Sequence, residues 1–164
     1  MDYQDRVALH DYDNPTRTEL CGAFGAIRAR DETLVVGQAE SADLDPNDEN
    51  FCLYGTHEKC LPVLWIGSRP IQLPMLGGNN GSSGPINARG QVAGTVETEF
   101  RDPACPGTVA PNGTGPQVLD YKGVVWSPRR NQMRTLEPLR GDTVSIALGI
   151  NDEGEAVGIP GTHQ

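Results

Sequence analysis

Across residues 91–97 the chain alternates, with Val92, Gly94 and Val96 falling on one side of an extended backbone and Gln91, Ala93 and Thr95 on the other. A period of two predicts a β-strand with one packed face. Just before it, Asn87-Ala88-Arg89-Gly90 reads as a tight hairpin turn, because Asn bonds its own downstream backbone and Gly takes the left-handed conformation at the end. A brief strand ending at Ile86 leads into that turn from the glycine-rich stretch Gly77-Gly78-Asn79-Asn80-Gly81. Residues 121–126 and 133–136 read as third and fourth strands around a turn over 127–132. The stretch 98–120, holding Pro103, Pro106, Pro111 and Pro116, reads as a loop, since proline cannot donate to a sheet ladder.

The same pattern recurs. Ala26-Ile27-Arg28-Ala29-Arg30-Asp31 leads to Val35-Val36-Gly37. Pro85-Ile86-Asn87-Ala88-Arg89-Gly90 leads to Val92-Ala93-Gly94, and Gly149-Ile150-Asn151-Asp152-Glu153-Gly154 leads to Ala156-Val157-Gly158. The isoleucines lie 59 and 64 residues apart, and Pro62-Val63-Leu64-Trp65 is answered 61 residues later by Gly123-Val124-Val125-Trp126. A repeat of this length means that each unit is one supersecondary element, unable to bury its apolar face alone, which must stack on its neighbours. The whole chain, 1–164, is then a single array with units 1–78, 79–141 and an incomplete 142–164. The expected fold is all-β: antiparallel four-stranded meanders forming blades of an incomplete β-propeller, with Trp65 and Trp126 as core anchors. Fewer than three units leave strand edges open to further blades or to self-association.

The phrase Ile-Asn-x-x-Gly-x-Val-x-Gly followed by an aliphatic-aliphatic-Trp strand resembles the bacterial extracellular HAF repeat family, from about Phe24 to Gly158. The chain departs from that pattern where Leu61-Pro62-Val63-Leu64-Trp65 and Lys122-Gly123-Val124-Val125-Trp126 stand for the usual His-Ala-Phe-Leu-Trp. The first unit also carries Arg28 and Asp31 in place of the turn Asn and Gly. The resemblance implies an extracellular or cell-envelope location and a repeat architecture. It brings no catalytic residues. Met1-Asp2-Tyr3-Gln4-Asp5 shows no basic or apolar leader, so the expectation is an internal or truncated piece of a secreted parent.

Charge and chemistry narrow the picture. A net charge of −9 and a pI near 4.7 exclude a nucleic-acid footprint, and Arg129-Arg130 with Arg134 read as a solvated turn. No apolar run approaches the ~20 residues that span a bilayer. Cys21, Cys52, Cys60 and Cys105 form no Cys-x-x-Cys pair, which disfavours zinc. Cys52 and Cys60 flank a loop short enough to close as a disulfide in an oxidising compartment, or else are two separate thiols. Cys21 and Cys105 have no assignable partner.

His10, His57 and His163 are scattered, and Ser82-Ser83 between glycines reads as a flexible turn. Asp43, Asp45 and Asn47 imitate the start of a calcium loop. Pro46 lies inside it, however, the turn glycine is missing, and Tyr54 stands where a bidentate Glu belongs, so 43–50 is expected to be a solvated acidic loop. No catalytic, cofactor or metal residue is assigned. The function expected is a non-enzymatic binding or structural platform whose loops, 41–59 and 98–120, meet a glycan or protein ligand. The alternative is part of a propeller enzyme acting on glycans, with an active site drawn from further blades.

Overall fold

The computed structural model describes residues 23–29, 32–101, 108–109 and 116–161. Four strands, β1 (Ala23–Ala29), β2 (Glu32–Leu44), β3 (Glu58–Ile66) and β4 (Arg69–Gln72), pair in chain order as one antiparallel sheet. Strands β5 (Gly77–Ile86) and β6 (Val92–Arg101) open a second sheet. Two short strands, β7 (Thr108–Val109) and β8 (Pro116–Gln117), pair with each other, and then β9 (Leu119–Ser127) and β10 (Gln132–Leu136) complete the second sheet in the order β10-β9-β6-β5. A hairpin of β11 (Val144–Ile150) and β12 (Ala156–Gly161) follows. The expected antiparallel all-β class is what the chain adopts, with two four-stranded meanders and a two-stranded third element.

The repeated phrase writes the same turn twice. Asn87 Oδ1 accepts Arg89 N–H and Gln91 N–H at 3.0 and 2.9 Å, Gly90 N–H returns to Asn87 O at 2.9 Å, and Gly90 sits at φ 76°. In the third element Asn151 Oδ1 accepts Glu155 N–H at 2.9 Å, and Gly154 N–H reaches Asn151 O at 3.1 Å with φ 89°. Asn supplies the side-chain acceptor and Gly the left-handed residue, as their chemistry predicts.

Strand register repeats as well. Val35, Val36 and Gly37 pair with Trp65, Leu64 and Val63, while Val92, Ala93 and Gly94 pair with Trp126, Val125 and Val124.

The two sheets pack face to face. Leu34, Val36 and Leu64 of the first meet Val92, Val96, Val124 and Trp126 of the second, each buried, and burying such a side chain stabilises by about 1.5–3 kcal/mol. The Trp126 indole N–H donates to Pro74 O at 2.8 Å, and a Cβ on Gly94 would lie 2.6 Å from the Trp126 ring, so that glycine makes room for it. Trp65 is buried in a separate cluster with Val63 and Ala39.

On the opposite face of the second sheet, β11 lies across β6 and β9, close enough that a Cβ on Gly123 would come within 2.8 Å of Ala147 N. Buried serines tie each new first strand to the sheet before it. Ser83 Oγ accepts Gly37 N–H at 2.8 Å and reaches Val63 O at 2.9 Å, and Ser145 Oγ accepts Gly123 N–H at 3.0 Å and donates to Leu136 O at 2.6 Å. Finally, the turns themselves stack. Asn87 Nδ2 donates to Asn151 O at 2.8 Å, Ala88 N–H to Asp152 Oδ1 at 2.8 Å, and the Arg89 guanidinium to Glu153 O at 3.3 Å, all at the 64-residue interval.

Two local expectations are corrected. The glycine-rich stretch is itself strand, because β5 runs so close to β6 that a Cβ on Gly78 would meet Glu97 Cβ at 2.3 Å and one on Gly81 would meet Val96 at 2.7 Å. Ser83 is accordingly a buried strand residue and no flexible turn. Strand β6 also runs on through Arg101 into the stretch read as loop. Arg129 and Arg130 lie exposed in a 3-10 turn between β9 and β10, with Arg134 exposed on β10, as read. His10, His163, Cys21 and Cys105 lie outside the described residues.

Candidate functional site

The excursion from β2 to β3 turns sharply inward. Asp45 Oδ1 accepts Asn47 N–H at 2.7 Å and Glu49 N–H at 3.2 Å, while Asp45 N–H donates to His57 O at 2.8 Å. Among the described residues, three of the four non-glycine residues at positive φ belong to this loop: Asp48, Leu53 and His57. Such backbone costs of order 1–3 kcal/mol per residue and persists where its surroundings over-determine it. A Cys52–Cys60 disulfide supplies part of that constraint, closing the loop as its spacing allowed.

The solvated acidic loop is the third correction. Asp45 and Glu49 are buried, Glu49 to 1% exposure, where they meet Glu97 of β6, which has no exposed surface at all. One oxygen from each of the three carboxylates lies within 4.8 Å of the others. At their focus stands an amide. Asn80 Nδ2 donates to Asp45 Oδ2 at 2.8 Å and to Glu49 Oε2 and Glu97 Oε2 at 3.1 Å each, and its Oδ1 accepts Cys60 N–H at 2.9 Å.

Glu97 Oε2 also accepts the backbone N–H groups of Asn79 and Asn80, at 3.1 and 2.9 Å. From the segment that leads into β9, Gln117 Nε2 of β8 donates to Glu97 Oε1 at 3.0 Å, and Glu49 Oε1 accepts the N–H of Val118 at 2.5 Å. The loop of the first sheet is thereby fastened to β5, β6 and the start of β9.

Every donor named here is neutral, and the electrostatics follow. Burial pushes the Glu97 carboxyl up to about 8, the Glu49 charge adds to that rise, and bonds from Gln117 and Asn80 oppose it. Burial raises Glu49 too, the Asp45 charge adds to that rise, and bonds from the Val118 N–H and the Glu97 side chain oppose it. Both shifts run the same way, and near neutral pH the Glu49–Glu97 pair shares one proton.

Hard cations take such oxygens, and Asp45, Glu49 and Glu97 are the residues that could hold one. The Asn80 NH₂, however, already occupies the point where the three carboxylates converge, and turning it over would break its bond to Cys60 N–H. The arrangement is that of a polar clamp. Of the calcium-like positions, only Asp45 enters it, because Asp43 is exposed, with its N–H turned to Ser41 Oγ.

Sequence reading missed Asn80, Glu97 and Gln117 because they lie 31 to 72 residues from the loop carboxylates Asp45 and Glu49 that they hold. The available signal was Glu97 itself, an acid closing the apolar run of β6. Above the clamp, Leu53, Tyr54, Gly55 and Thr56 are exposed, and His57 Nδ1 lies 3.0 Å from Asp48 Oδ1.

No protein-family model, curated protein or solved structure matches this chain.

Proposed function

We propose that the chain is a non-enzymatic, extracellular β-repeat module, with its meanders stacked as blades of an incomplete propeller and its loop tips held out to a glycan or protein ligand. The observation that carries this reading is the β2–β3 loop, locked at its base by the carboxylate clamp and the disulfide while residues 53–56 stay exposed. A surface aromatic and an aliphatic on a rigid base bind with little ordering cost. The disulfide suits an oxidising compartment. The turn-to-turn bonds at the repeat interval support stacking of successive blades.

The enzyme reading draws on one arrangement, two buried carboxyls, Glu49 and Glu97, meeting in one cluster with Glu97 pushed up to about 8, which is the kind of pair that glycoside hydrolysis uses. Glu49 and Glu97 are sealed from solvent, so a sugar has no access to them in this arrangement.

A glycan array probed with wild-type protein and with Tyr54→Ala separates the two. Retention of a glycan lost in Tyr54→Ala, at an unchanged melting temperature, supports the platform. Hydrolysis of aryl glycosides that disappears in Glu49→Gln would establish the enzyme instead.

A further inference from the structure

The hairpin β11–β12 reproduces β5–β6 down to the glycine. Gly94 pairs with Ser83 and its added Cβ would strike Ser82 O at 2.3 Å; Gly158 pairs with Ala147 and its Cβ would strike Ile146 O at 1.9 Å. In each case the obstacle is the carbonyl preceding the cross-strand partner, so the two glycines have the same local geometry.

What lies on the other side differs. Strand β6 pairs with β5 on one edge and β9 on the other, as β2 does with β1 and β3, whereas among the described residues β12 pairs with β11 alone. The Trp126 ring lies 2.6 Å from the Gly94 Cβ position, while the three atoms nearest that position on Gly158 all belong to β11.

The face of the hairpin is open as well as its edge. Val36 is covered by Val92, Val96, Val124 and Trp126 of the sheet stacked on it, whereas Val157, at the same place in the phrase, is 67% exposed, with Ile159 exposed beside it. The outer strands of the four-stranded sheets also carry guards, Arg69 and Pro70 on β4 and Arg134 on β10. Strand β12 is a second strand, a place that both four-stranded sheets enclose on two sides. Its one guard is Pro160, which has no N–H and so sets the far limit of any added ladder.

We propose that the free edge of β12 is a docking site for an extended segment of a partner polypeptide bearing two aliphatic residues followed by tryptophan. The segment adds antiparallel with its tryptophan opposite Ala156. The register comes from the two enclosed edges: Trp65 and Trp126 stand opposite Val35 and Val92, and Leu64 and Val125 opposite Val36 and Ala93. An aliphatic therefore lands opposite Val157 and the residue before it opposite Gly158. Main-chain bonds supply attachment and the alternating side chains supply selectivity, which is the logic of strand addition to a sheet edge. This edge is separate from the loop tips assigned to a ligand above.

The test is a labelled synthetic peptide with the sequence of β9, Leu119–Ser127, titrated into the ¹⁵N-labelled full chain. Expected are saturable binding, amide shifts and slowed exchange gathered at residues 156–161, and roughly tenfold weaker binding when the peptide's tryptophan is replaced by alanine. The exposed-site variant Val157→Lys should bind the parent peptide more weakly while its own fold is unchanged. Absence of saturable binding, or equal affinity for the alanine peptide, would overturn the proposal. So would shifts centred on residues 92–97, which mean displacement of β9, or dimerisation of the free chain that protects 156–161, which makes the occupant a second copy.

Discussion

Replacing Glu97 by glutamine probes the pH dependence of the clamp at the carboxyl pushed up to about 8. In the folded protein the Glu97 carboxyl titrates near 8 from an ordinary value of 4.5. Between those values the native state holds a proton that the unfolded state has released, so stability falls as pH rises through this window. The full drop is at most about 5 kcal/mol, 3.5 units at about 1.4 kcal/mol each, and it levels off above pH 8.

The Glu97→Gln variant carries no titrating proton at this position and should lack this slope. Its amide is not a perfect copy of the acid. The protonated carboxyl can accept from Gln117 Nε2 while donating to Glu49, whereas an amide NH₂ in the same place can only donate, so one buried hydrogen bond is lost at a cost of about 1 kcal/mol. Chemical denaturation from pH 4 to 9 should therefore give crossing profiles, with Glu97→Gln about 1 kcal/mol less stable than wild type near pH 4, about equal to it slightly above pH 5, and more stable at pH 9. Parallel profiles across that range would refute the shared-proton arrangement.

Three further outcomes follow from the same contacts. Trp126→Ala should cost about 3–5 kcal/mol in urea denaturation, since it empties the interface between the sheets and frees Pro74 O. Reducing the Cys52–Cys60 bond opens a loop whose ends are 8 residues apart, and should lower stability by up to about 2.5 kcal/mol, read as a fall in melting temperature with reductant. Asp152→Ala removes the acceptor for Ala88 N–H at an exposed turn and should cost about 0.5–1.5 kcal/mol, with faster amide exchange at Ala88.

Much of the fold was written locally. Asn and Gly at fixed places in the phrase dictate the turns at 87–90 and 151–154, the period of two dictates β6, and the recurrence of Trp65 and Trp126 marks two equivalent strands. The 64-residue interval even anticipates which turns touch. Gly77 to Gly81 were misread because glycine has little strand preference of its own; what keeps them extended is the closeness of β6, a tertiary fact.

The clamp was illegible for a related reason. A run such as 43–50 is ordinarily solvated, and only the meeting of Asn80, Glu97 and Gln117 around it, together with one retained proton, makes burial of Asp45 and Glu49 tolerable.

The bonds from the Val118 N–H to Glu49 and from the Asn80 amide to Asp45 mean that the excursion of one repeat and strands of the next are welded together. Neither can be exchanged by itself. An engineer who grafts new sequence between Leu53 and Thr56 inherits an intact anchor, whereas cutting at Asp45 leaves the Asn80 amide short of an acceptor and cutting at Gln117 leaves the Glu97 carboxyl short of a donor. Natural change at either seam has to arrive as a matched pair.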